Sequence, residues 1–400
     1  MAITKIEVPE LFDFGSDNSA FKLPTGTTAD RPTSPSNGEM RFNTTTGYVE
    51  YYDTTDTQWW EIDYAPDPFV PSENFNTVLY TGNGGTQAIT GTGFQPDLTW
   101  VKSRTNTLSH QLHDSVRGAG YGLLSNNTTA QVFYNTITSF DSNGFTVDAN
   151  SYTGTNASGQ DFVAWSWKAG GTAVSNTDGT ITSQVSANTA AGFSIVSYTG
   201  TGSAASVGHG LDTPEFVVIK RLDGITFWQV WYTGAGINPA SGINRLYLND
   251  SQGNDNSTTN VYYPDATKIN FNSGDHFFNG SSNTYIAYCF HSVAGYSKIG
   301  SYTGTGASSN TIVTGFKPAF VMIKQSSAAR NWYIVDNKRN PSNPANKLLI
   351  PNLSSSEYAG AGNVYADLLS NGFEITSSAG DAVNQSGQTY IFMAFAADPT

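Results

Sequence analysis

The sequence has one cysteine, few charged residues and no long hydrophobic run. Cys289 alone cannot form an intramolecular disulfide, and a single cysteine excludes zinc sites built from several thiolates. No apolar run approaches the roughly 20 residues that a membrane-spanning helix needs. The first residues lack a basic stretch followed by an apolar one, so we expect no secretory signal and no membrane insertion.

Basic residues are also scarce. The formal net charge is −13 and the isoelectric point is near 4.6. Nucleic-acid binding depends on a basic face that displaces counterions, so we expect no nucleic-acid partner. Residues 1–68 hold twelve acids and four bases, which places −8 of the net charge in this segment. The segment is therefore a separate acidic piece.

What the sequence does contain is glycine and aromatic residues arranged in short runs. There are 40 glycines, and 13% of residues are aromatic. Apolar runs such as Phe216–Ile219 and Phe320–Ile323 are bounded by Gly, Asn, Pro and Thr, and helical periodicity is scarce. This pattern predicts an all-β protein whose central strands are buried on both faces.

Three copies of one pattern follow the acidic segment. A Tyr-Thr-Gly-x-Gly element, a strand ending in lysine and a closing aromatic strand recur in the same order. The first element lies at Tyr80–Gly84, Tyr198–Gly202 and Tyr302–Gly306, and the lysines are Lys102, Lys220 and Lys324. A period near 100 residues fits one complete β-sandwich per copy. The sequence therefore predicts three tandem homologous β-sandwich domains, which we call repeats 1 to 3.

The boundaries follow from composition. We predict a small, largely extended or β-structured N-terminal segment at 1–68 and repeat 1 at 75–170. A Gly/Ser/Thr-rich linker or extended strap is predicted at 171–191, with repeat 2 at 192–294 and repeat 3 at 295–400.

Two parts of the chain resemble known phage sequences. The stretch Gly26–Trp59, with Arg31-Pro, Gly38-Glu-Met-Arg41-Phe-Asn and Tyr51-Tyr-Asp, resembles a short module common in structural proteins of tailed bacteriophages, especially fibres. The repeats resemble a β-domain found in tail and fibre proteins of marine phages, through strings such as His110–Gly118, Val163–Gly171 and Gly192–Gly202. The stretch Ile225–Ile243 matches poorly, which leaves its contact role open.

The resemblance implies a virion component that is assembled in the host cytoplasm. It brings no catalytic residues and no cofactor. It implies attachment to other virion proteins (tail, portal-adaptor or capsid) through residues 1–68, and by analogy with fibres a homotrimer. The residues that we assign to anchoring on this basis are Arg31, Arg41, Tyr51, Trp59 and Trp60.

Histidine and cysteine offer the first candidates for chemistry. His110, His113 and Asp114 invite a metal or acid–base interpretation, but strand residues three apart face opposite sides. We favour an Asp114–Arg117 pair that fixes a loop, with the histidines as surface hydrogen-bonding groups, and we assign His209 to a turn. Cys289 aligns with Ser166 and Ala394, which predicts a small buried side chain and not a nucleophile. The three aligned lysines predict an architectural part.

Acidic residues offer the second group of candidates for chemistry. No Asp or Glu recurs in all three repeats as a glycosidase pair would. The Asn249–Asn256 loop resembles a calcium loop, but its twelfth position, counted from Asp250, is Val261 and not an acid. We therefore predict no metal site and no enzymatic activity.

Aromatic residues are the preferred contact candidates, because they stack on sugars and form hot spots against proteins. The candidates are Phe227, Trp228, Trp231, Trp332 and Tyr333. The alternative for each is a place in the core of its sandwich, because aromatic residues dominate such cores. The leading hypothesis is a tail fibre or appendage protein that contributes to attachment to a host-surface glycan or protein. The alternatives are a head decoration or collar fibre protein and, from the enzyme class, a glycan depolymerase.

Overall fold

A computed structural model describes residues 23–62, 69–148, 154–233, 245–255, 261–359, 366–376 and 382–397. The chain forms two compact units, Met1–Pro68 and Phe69–Thr400, and each is described by itself. The described residues are strands and loops with two short 3₁₀ helices, Thr28–Asp30 and Pro71–Glu73. The all-β prediction is confirmed.

The N-terminal segment folds as one four-stranded sheet. Its strands are β1 (Thr25–Gly26), β2 (Met40–Asn43), β3 (Tyr48–Asp53) and β4 (Gln58–Ile62). They lie in the order β1-β2-β3-β4, with β1 parallel to β2 and the others antiparallel. Tight turns at Gly47 and Thr57, both with positive φ, join the last three strands and fix their register.

The second unit, which we call the body, contains the three repeats. The strands of repeat 1 are β5 (Phe75–Thr81), β6 (Gln87–Thr90), β7 (Leu98–Ser103), β8 (Gln111–Asp114), β9 (Tyr121–Leu124), β10 (Val132–Phe133), β11 (Ile137–Asp141), β12 (Gly144–Val147) and β13 (Asp161–Trp167). The strands of repeat 2, with those that precede it, are β14 (Val174–Asn176), β15 (Ser183–Asn188), β16 (Phe193–Thr199), β17 (Ala205–Gly208), β18 (Phe216–Arg221), β19 (Gln229–Tyr232), β20 (Arg245–Tyr247), β21 (Tyr262–Pro264), β22 (Lys268–Phe271) and β23 (Thr284–Phe290). The strands of repeat 3 are β24 (Ser297–Thr303), β25 (Asn310–Val313), β26 (Phe320–Gln325), β27 (Trp332–Asp336), β28 (Lys347–Leu348), β29 (Tyr358–Ala359), β30 (Ala366–Leu369), β31 (Gly372–Ile375) and β32 (Thr389–Phe395).

Each repeat pairs a main sheet with a three-stranded outer sheet. In all three main sheets the first strand lies beside the last, followed by the lysine-ended strand and its hairpin partner. The orders are β10-β9-β8-β7-β13-β5, β14-β15-β16-β23-β18-β19-β20 and β24-β32-β26-β27. The outer sheets are β11-β12-β6, β17-β22-β21 and β25-β31-β30. The repeats are therefore sandwich-like copies of one layout.

The main sheets are buried on both faces, which explains their unbroken apolar strands. In β18, Phe216 and Val218 enter a core shared by all three repeats, whereas Val217 and Ile219 enter a separate core inside repeat 2. Successive strand residues point to opposite faces, so one strand serves two cores. The shared core differs from the expectation of tandem, separately cored sandwiches: the three repeats pack together as one body.

The repeats also meet at three equivalent junctions, which form a closed ring. At each junction a backbone N–H of one repeat donates to a carbonyl that lies two residues after the aligned lysine of another. The pairs are Gln131 N to Leu222 O (2.9 Å), Asn254 N to Ser326 O (2.7 Å) and Glu357 N to Arg104 O (2.7 Å). The same contact therefore joins repeat 1 to repeat 2, repeat 2 to repeat 3, and repeat 3 to repeat 1.

The segment 171–191, predicted as a linker or strap, contains two strands. β14 pairs with β15, and β15 pairs with β16, so the segment extends the main sheet of repeat 2. Val185 is buried in the core of repeat 2. β14 is the edge strand of this sheet, with Val174 exposed, and β15 lies between β14 and β16.

Candidate functional site

The N-terminal sheet buries charge on one face. The Glu50 carboxylate is fully buried and pairs with Arg31 (Nη2–Oε2, 2.5 Å) and Arg41 (Nε–Oε1, 3.3 Å). Burial alone would raise the pKa of Glu50, but hydrogen bonds from Arg31 and Asn43 and the two guanidinium charges hold it below its usual value. Arg41 also lies 6.0 Å from the Trp59 ring centre. This face holds the segment together.

The opposite face of the same sheet is apolar and partly exposed. Its side chains form two cross-strand rows, because directly paired residues point to the same side. The rows are Met40, Tyr51 and Trp60, and Phe42, Val49 and Ile62. Met40 and Trp60 are each 42% exposed and Ile62 is 41% exposed. We call these six residues the apolar face.

The five anchoring candidates therefore divide between the two faces. Tyr51 and Trp60 lie on the apolar face, where they are accessible to a partner. Arg31 and Arg41 belong to the ion network around Glu50, and Trp59 lies on that same side, with its ring 5.5 Å from Tyr52. These three residues hold the fold, and of the five candidates only Tyr51 and Trp60 have side chains on the apolar face.

The aromatic contact candidates of the body are mostly buried, which corrects their assignment as exposed groups. Trp228 and Trp332 lie in the shared core and Trp231 in the core of repeat 2. Phe227 and Tyr333 are half-buried, and the Phe227 ring packs against Tyr247 at 5.0 Å. Residues 234–243 of the poorly matching stretch Ile225–Ile243 lie outside the described residues.

Two of the tryptophans in the shared core, Trp228 and Trp332, close junctions between repeats. The Trp228 indole N–H, in repeat 2, donates to the carbonyls of Leu124 (2.9 Å) and Asn127 (3.1 Å) in repeat 1. The Trp332 indole N–H, in repeat 3, donates to the Tyr247 carbonyl (2.9 Å) in repeat 2. A buried indole needs such an acceptor.

The exposed aromatic pair of the body lies elsewhere, at the outer edge of repeat 1. Phe133 is 61% exposed and Tyr121 is 38% exposed, and their ring centres are 5.1 Å apart. Sequence analysis missed both residues. The available signal was the alternation Gly120-Tyr121-Gly122, which removes side chains on either side of the tyrosine and makes room for large neighbours.

The histidine cluster is structural. His110 and His113 are fully buried, which corrects their placement at the surface. The Trp100 indole N–H donates to His110 Nδ1 (2.9 Å), and His113 Nε2 lies 3.0 Å from Gln111 Oε1. Burial lowers the pKa of His113 to about 4, so the ring is neutral near pH 7. Asp114 pairs with Arg117 (2.5 Å), as the sequence predicts.

The remaining candidates also have structural surroundings. Burial raises the pKa of the Cys289 thiol to about 12, which removes the thiolate that a nucleophile needs. The two His209 ring nitrogens bond to Leu211 N and Asp265 O in a turn. In the described part of the Asn249–Asn256 loop, Asp255 pairs with Arg245. Among the described residues there is no cluster of three or more possible metal ligands and no helix long and apolar enough to cross a membrane.

The aligned lysines each cap a buried carbonyl group. Lys102, Lys220 and Lys324 are fully buried, and each Nζ donates to the carbonyl of the next residue (2.6, 3.0 and 2.6 Å). Lys220 and Lys324 also reach a neighbouring repeat, at Thr128 O and Ser251 O (3.2 Å each). Burial lowers the pKa of all three to about 7.

One family model, described as a domain of unknown function (DUF7483), matches residues 70–399. The chain belongs to this family. The DUF7483 match covers all three repeats and coincides with the body, so the family domain corresponds to the whole closed ring and not to a single repeat. No curated protein and no solved structure matches the chain significantly.

Proposed function

We propose that this DUF7483 protein is a non-enzymatic structural component of a tailed-phage particle, of the tail fibre or appendage type. It attaches to the particle through the N-terminal segment, and the body projects outward and contributes to attachment to the host surface. The observation that carries the proposal is the apolar face of the N-terminal sheet. A contiguous apolar patch that stays exposed is typical of a protein–protein interaction site.

The chemistry of the anchoring partner follows from the charge of the segment. Residues 1–68 carry a net charge of −8, and Asp53, two residues after Tyr51 on β3, lies at the edge of the apolar face. A virion protein with an apolar patch and a rim of Lys or Arg side chains complements this surface. Such a rim raises the association rate and orients the docked segment.

The absence of an enzymatic role is part of the proposal. Several buried titratable groups are engaged in structural contacts: Asp114 with Arg117, Asp336 with Arg339, the aligned lysines with carbonyls, and Cys289 in a core. A closed ring with a shared core suits a rigid module that holds a contact surface away from the particle.

The test is particle incorporation. Phage particles should be assembled with the full chain, with residues 69–400 alone, and with a Tyr51→Ser/Trp60→Ser double variant; the protein bound to purified particles is then quantified. We expect deletion to abolish incorporation and the double variant to reduce it at least ten-fold. Thr55→Ala, in the exposed turn before β4, is the matched control and should incorporate normally.

The other hypotheses give different results. Normal incorporation of residues 69–400 would support a head decoration or collar protein that binds through the body, and would contradict anchoring by the N-terminal segment. Incubation with host-surface polysaccharide tests the enzyme hypothesis, because shortened polysaccharide chains would identify a glycan depolymerase.

A further inference from the structure

Repeat 1 carries an aromatic pair at the edge of its main sheet, close to the junction residue Gln131 and outside the shared core. Tyr121 on β9 and Phe133 on β10 are directly paired across the two strands. Their rings meet edge to face, with an interplanar angle of 71°. Val132, beside Phe133, is also exposed. Large apolar side chains at the end of a sheet are normally covered, so this pair needs an explanation.

The pair is held in place by the backbone beneath it. A Cβ atom on Gly120 would lie 2.4 Å from Phe133 Cε2, so the ring packs directly on the glycine backbone. The Asn135 N–H donates to the Gly120 carbonyl (3.0 Å) and fixes the return of the chain after β10. Little rotamer freedom remains for the Phe133 ring to lose when a ligand binds.

The other repeats show that the layout does not impose these aromatic residues. In repeat 1, Val132 pairs with Gly122 across β10 and β9. The equivalent residues are Asp255 and Arg245 in repeat 2, where they form an ion pair, and Tyr358 and Leu348 in repeat 3. The position of Tyr121 and Phe133 is occupied by Lys347 and Ala359 in repeat 3. The exposed aromatic pair is therefore specific to repeat 1.

The surrounding sequence indicates the charge of the ligand. No Asp, Glu, Lys or Arg occurs from Gly118 to Phe140, although the chain as a whole carries −13. This stretch is rich in Asn and Thr, which donate and accept hydrogen bonds. Phosphate or sulfate groups would require basic partners here, so a neutral, hydroxyl-rich ligand suits the surface better.

We propose that the Tyr121–Phe133 pair binds the apolar face of a neutral pyranose unit in a host-surface polysaccharide. This inference rests on the proposed function and names the ligand class for its host-attachment part. The face of an aromatic ring is electronegative and attracts the polarised C–H groups that line one side of a pyranose. Uncharged polar side chains around the rings meet the sugar hydroxyl groups, as in other wet, adaptable recognition surfaces.

The experiment measures binding of the full chain to three neutral tetrasaccharides: β-1,4-linked glucose, β-1,4-linked galactose and α-1,6-linked mannose. Titration calorimetry gives the affinity and saturation-transfer NMR identifies the bound sugar face. We expect at least one tetrasaccharide to bind with one site per chain. Phe133→Ala and Tyr121→Ala should each weaken binding at least ten-fold, whereas Phe133→Trp should retain it.

Two further variants separate the ring position from nonspecific effects. Gly120→Ala keeps both rings but displaces Phe133, so it should also weaken binding. Tyr358→Ala removes a 52% exposed aromatic at the corresponding edge of repeat 3 and should leave the affinity unchanged. The unfolding midpoint and circular dichroism of each variant establish that it is folded.

Several outcomes would overturn the inference. These are failure of the folded full chain to bind any of the three sugars, unchanged affinity in Phe133→Ala, and tighter binding of a sulfated tetrasaccharide than of its neutral counterpart. Loss of adsorption by Phe133→Ala to cells stripped of polysaccharide would identify a protein partner instead. Phe133→Ala should be incorporated into particles normally. A failure of the sugar-binding inference can therefore be distinguished from a failure of the anchoring proposal.

Discussion

Single residues differ in whether their role is visible in the sequence. The alignment of Cys289 with Ser166 and Ala394 is enough to predict a small buried side chain, because only packing tolerates those three residues at one position. The alignment of the three lysines indicates an architectural part but not its chemistry. The alignment is compatible with a cap at the end of a sheet or with an ion pair, and the structure places each ammonium group among backbone carbonyls.

These lysines predict a pH dependence of stability. Their pKa in the folded protein is about 7, whereas a lysine in an unfolded chain has a pKa near 10.4. Between these values the unfolded state binds more protons, so the free energy of unfolding rises with pH by up to about 1.4 kcal/mol per pH unit per lysine. Denaturant unfolding at pH 7.0, 8.0 and 9.0 should therefore show increasing stability.

The variant Lys220→Met identifies the source of this slope. It should remove about one third of the increase if the three lysines contribute equally. Lys338→Met, at an exposed position, is the control and should retain the full slope. Equal slopes in the wild type and Lys220→Met would show that Lys220 does not titrate differently in the two states.

At the scale of strands, the sequence predicts well which segments form sheets. It predicts less well which residues pack on each face of those sheets. Runs such as Phe216–Ile219 correctly indicate burial on both faces. Trp228 and Trp332 align with His110 of repeat 1, and this difference hides the shared role of the position in the sequence. His110 and Trp228 lie directly before β8 and β19, and Trp332 is the first residue of the equivalent strand β27. Only the three-dimensional junction shows why a large ring capable of hydrogen bonding occurs at this position.

The N-terminal sheet illustrates the same limit. Strict alternation of apolar and polar residues in Met40–Asn43 predicts a two-faced strand. The usual assumption is that the apolar side is buried. Here the polar side is covered, because Arg31 pairs with the buried Glu50 on that face and Thr28 bonds to Asn43. Burial of one face in preference to the other depends on contacts that are distant in sequence.

A substitution tests the energetic role of a junction tryptophan. Trp332→Phe removes the indole hydrogen bond to Tyr247 O, which keeps the Asp250 N–H as a donor (3.2 Å), and leaves a small void in the shared core. We expect a loss of about 2–4 kcal/mol in the free energy of unfolding, from the hydrogen bond and the lost volume together. Tyr333→Phe, at the half-buried neighbour, should change it by less than about 1 kcal/mol. Equal effects of the two would contradict the junction role.

At the scale of the whole molecule, the shared core makes the three repeats interdependent. Phe395 of repeat 3 lies 5.3 Å from Phe75 of repeat 1 and 6.0 Å from Phe290 of repeat 2, measured between ring centres. Sequence repetition predicts the three copies but not this packing, because identical repeats are compatible with separate beads or with one ring. The difference depends on which apolar faces meet, and a single sequence does not encode that visibly.

The interdependence predicts cooperative unfolding. Residues 69–400 should unfold in one calorimetric transition, with van't Hoff and calorimetric enthalpies in agreement. Truncation after Ala294 should expose Phe75 and Phe290 and yield an aggregating or unfolded product, whereas removal of residues 1–68 should leave the transition in place. Three separable transitions, or a stable truncated chain, would show that the repeats fold independently.

The ring has a consequence for how its copies can diverge. Identical subunits that close a threefold ring must share every residue, so a change at one contact appears at all three. In this chain Asp114 meets Tyr288 at one interface and Asp336 meets Trp165 at another, each in its own pairing. Because the three repeats are linked in one chain, each repeat can carry a different residue at an equivalent contact. The aromatic edge occurs in one copy, so at the proposed sugar site each chain would be monovalent. Adhesion of the proposed phage particle would then depend on how many chains it displays.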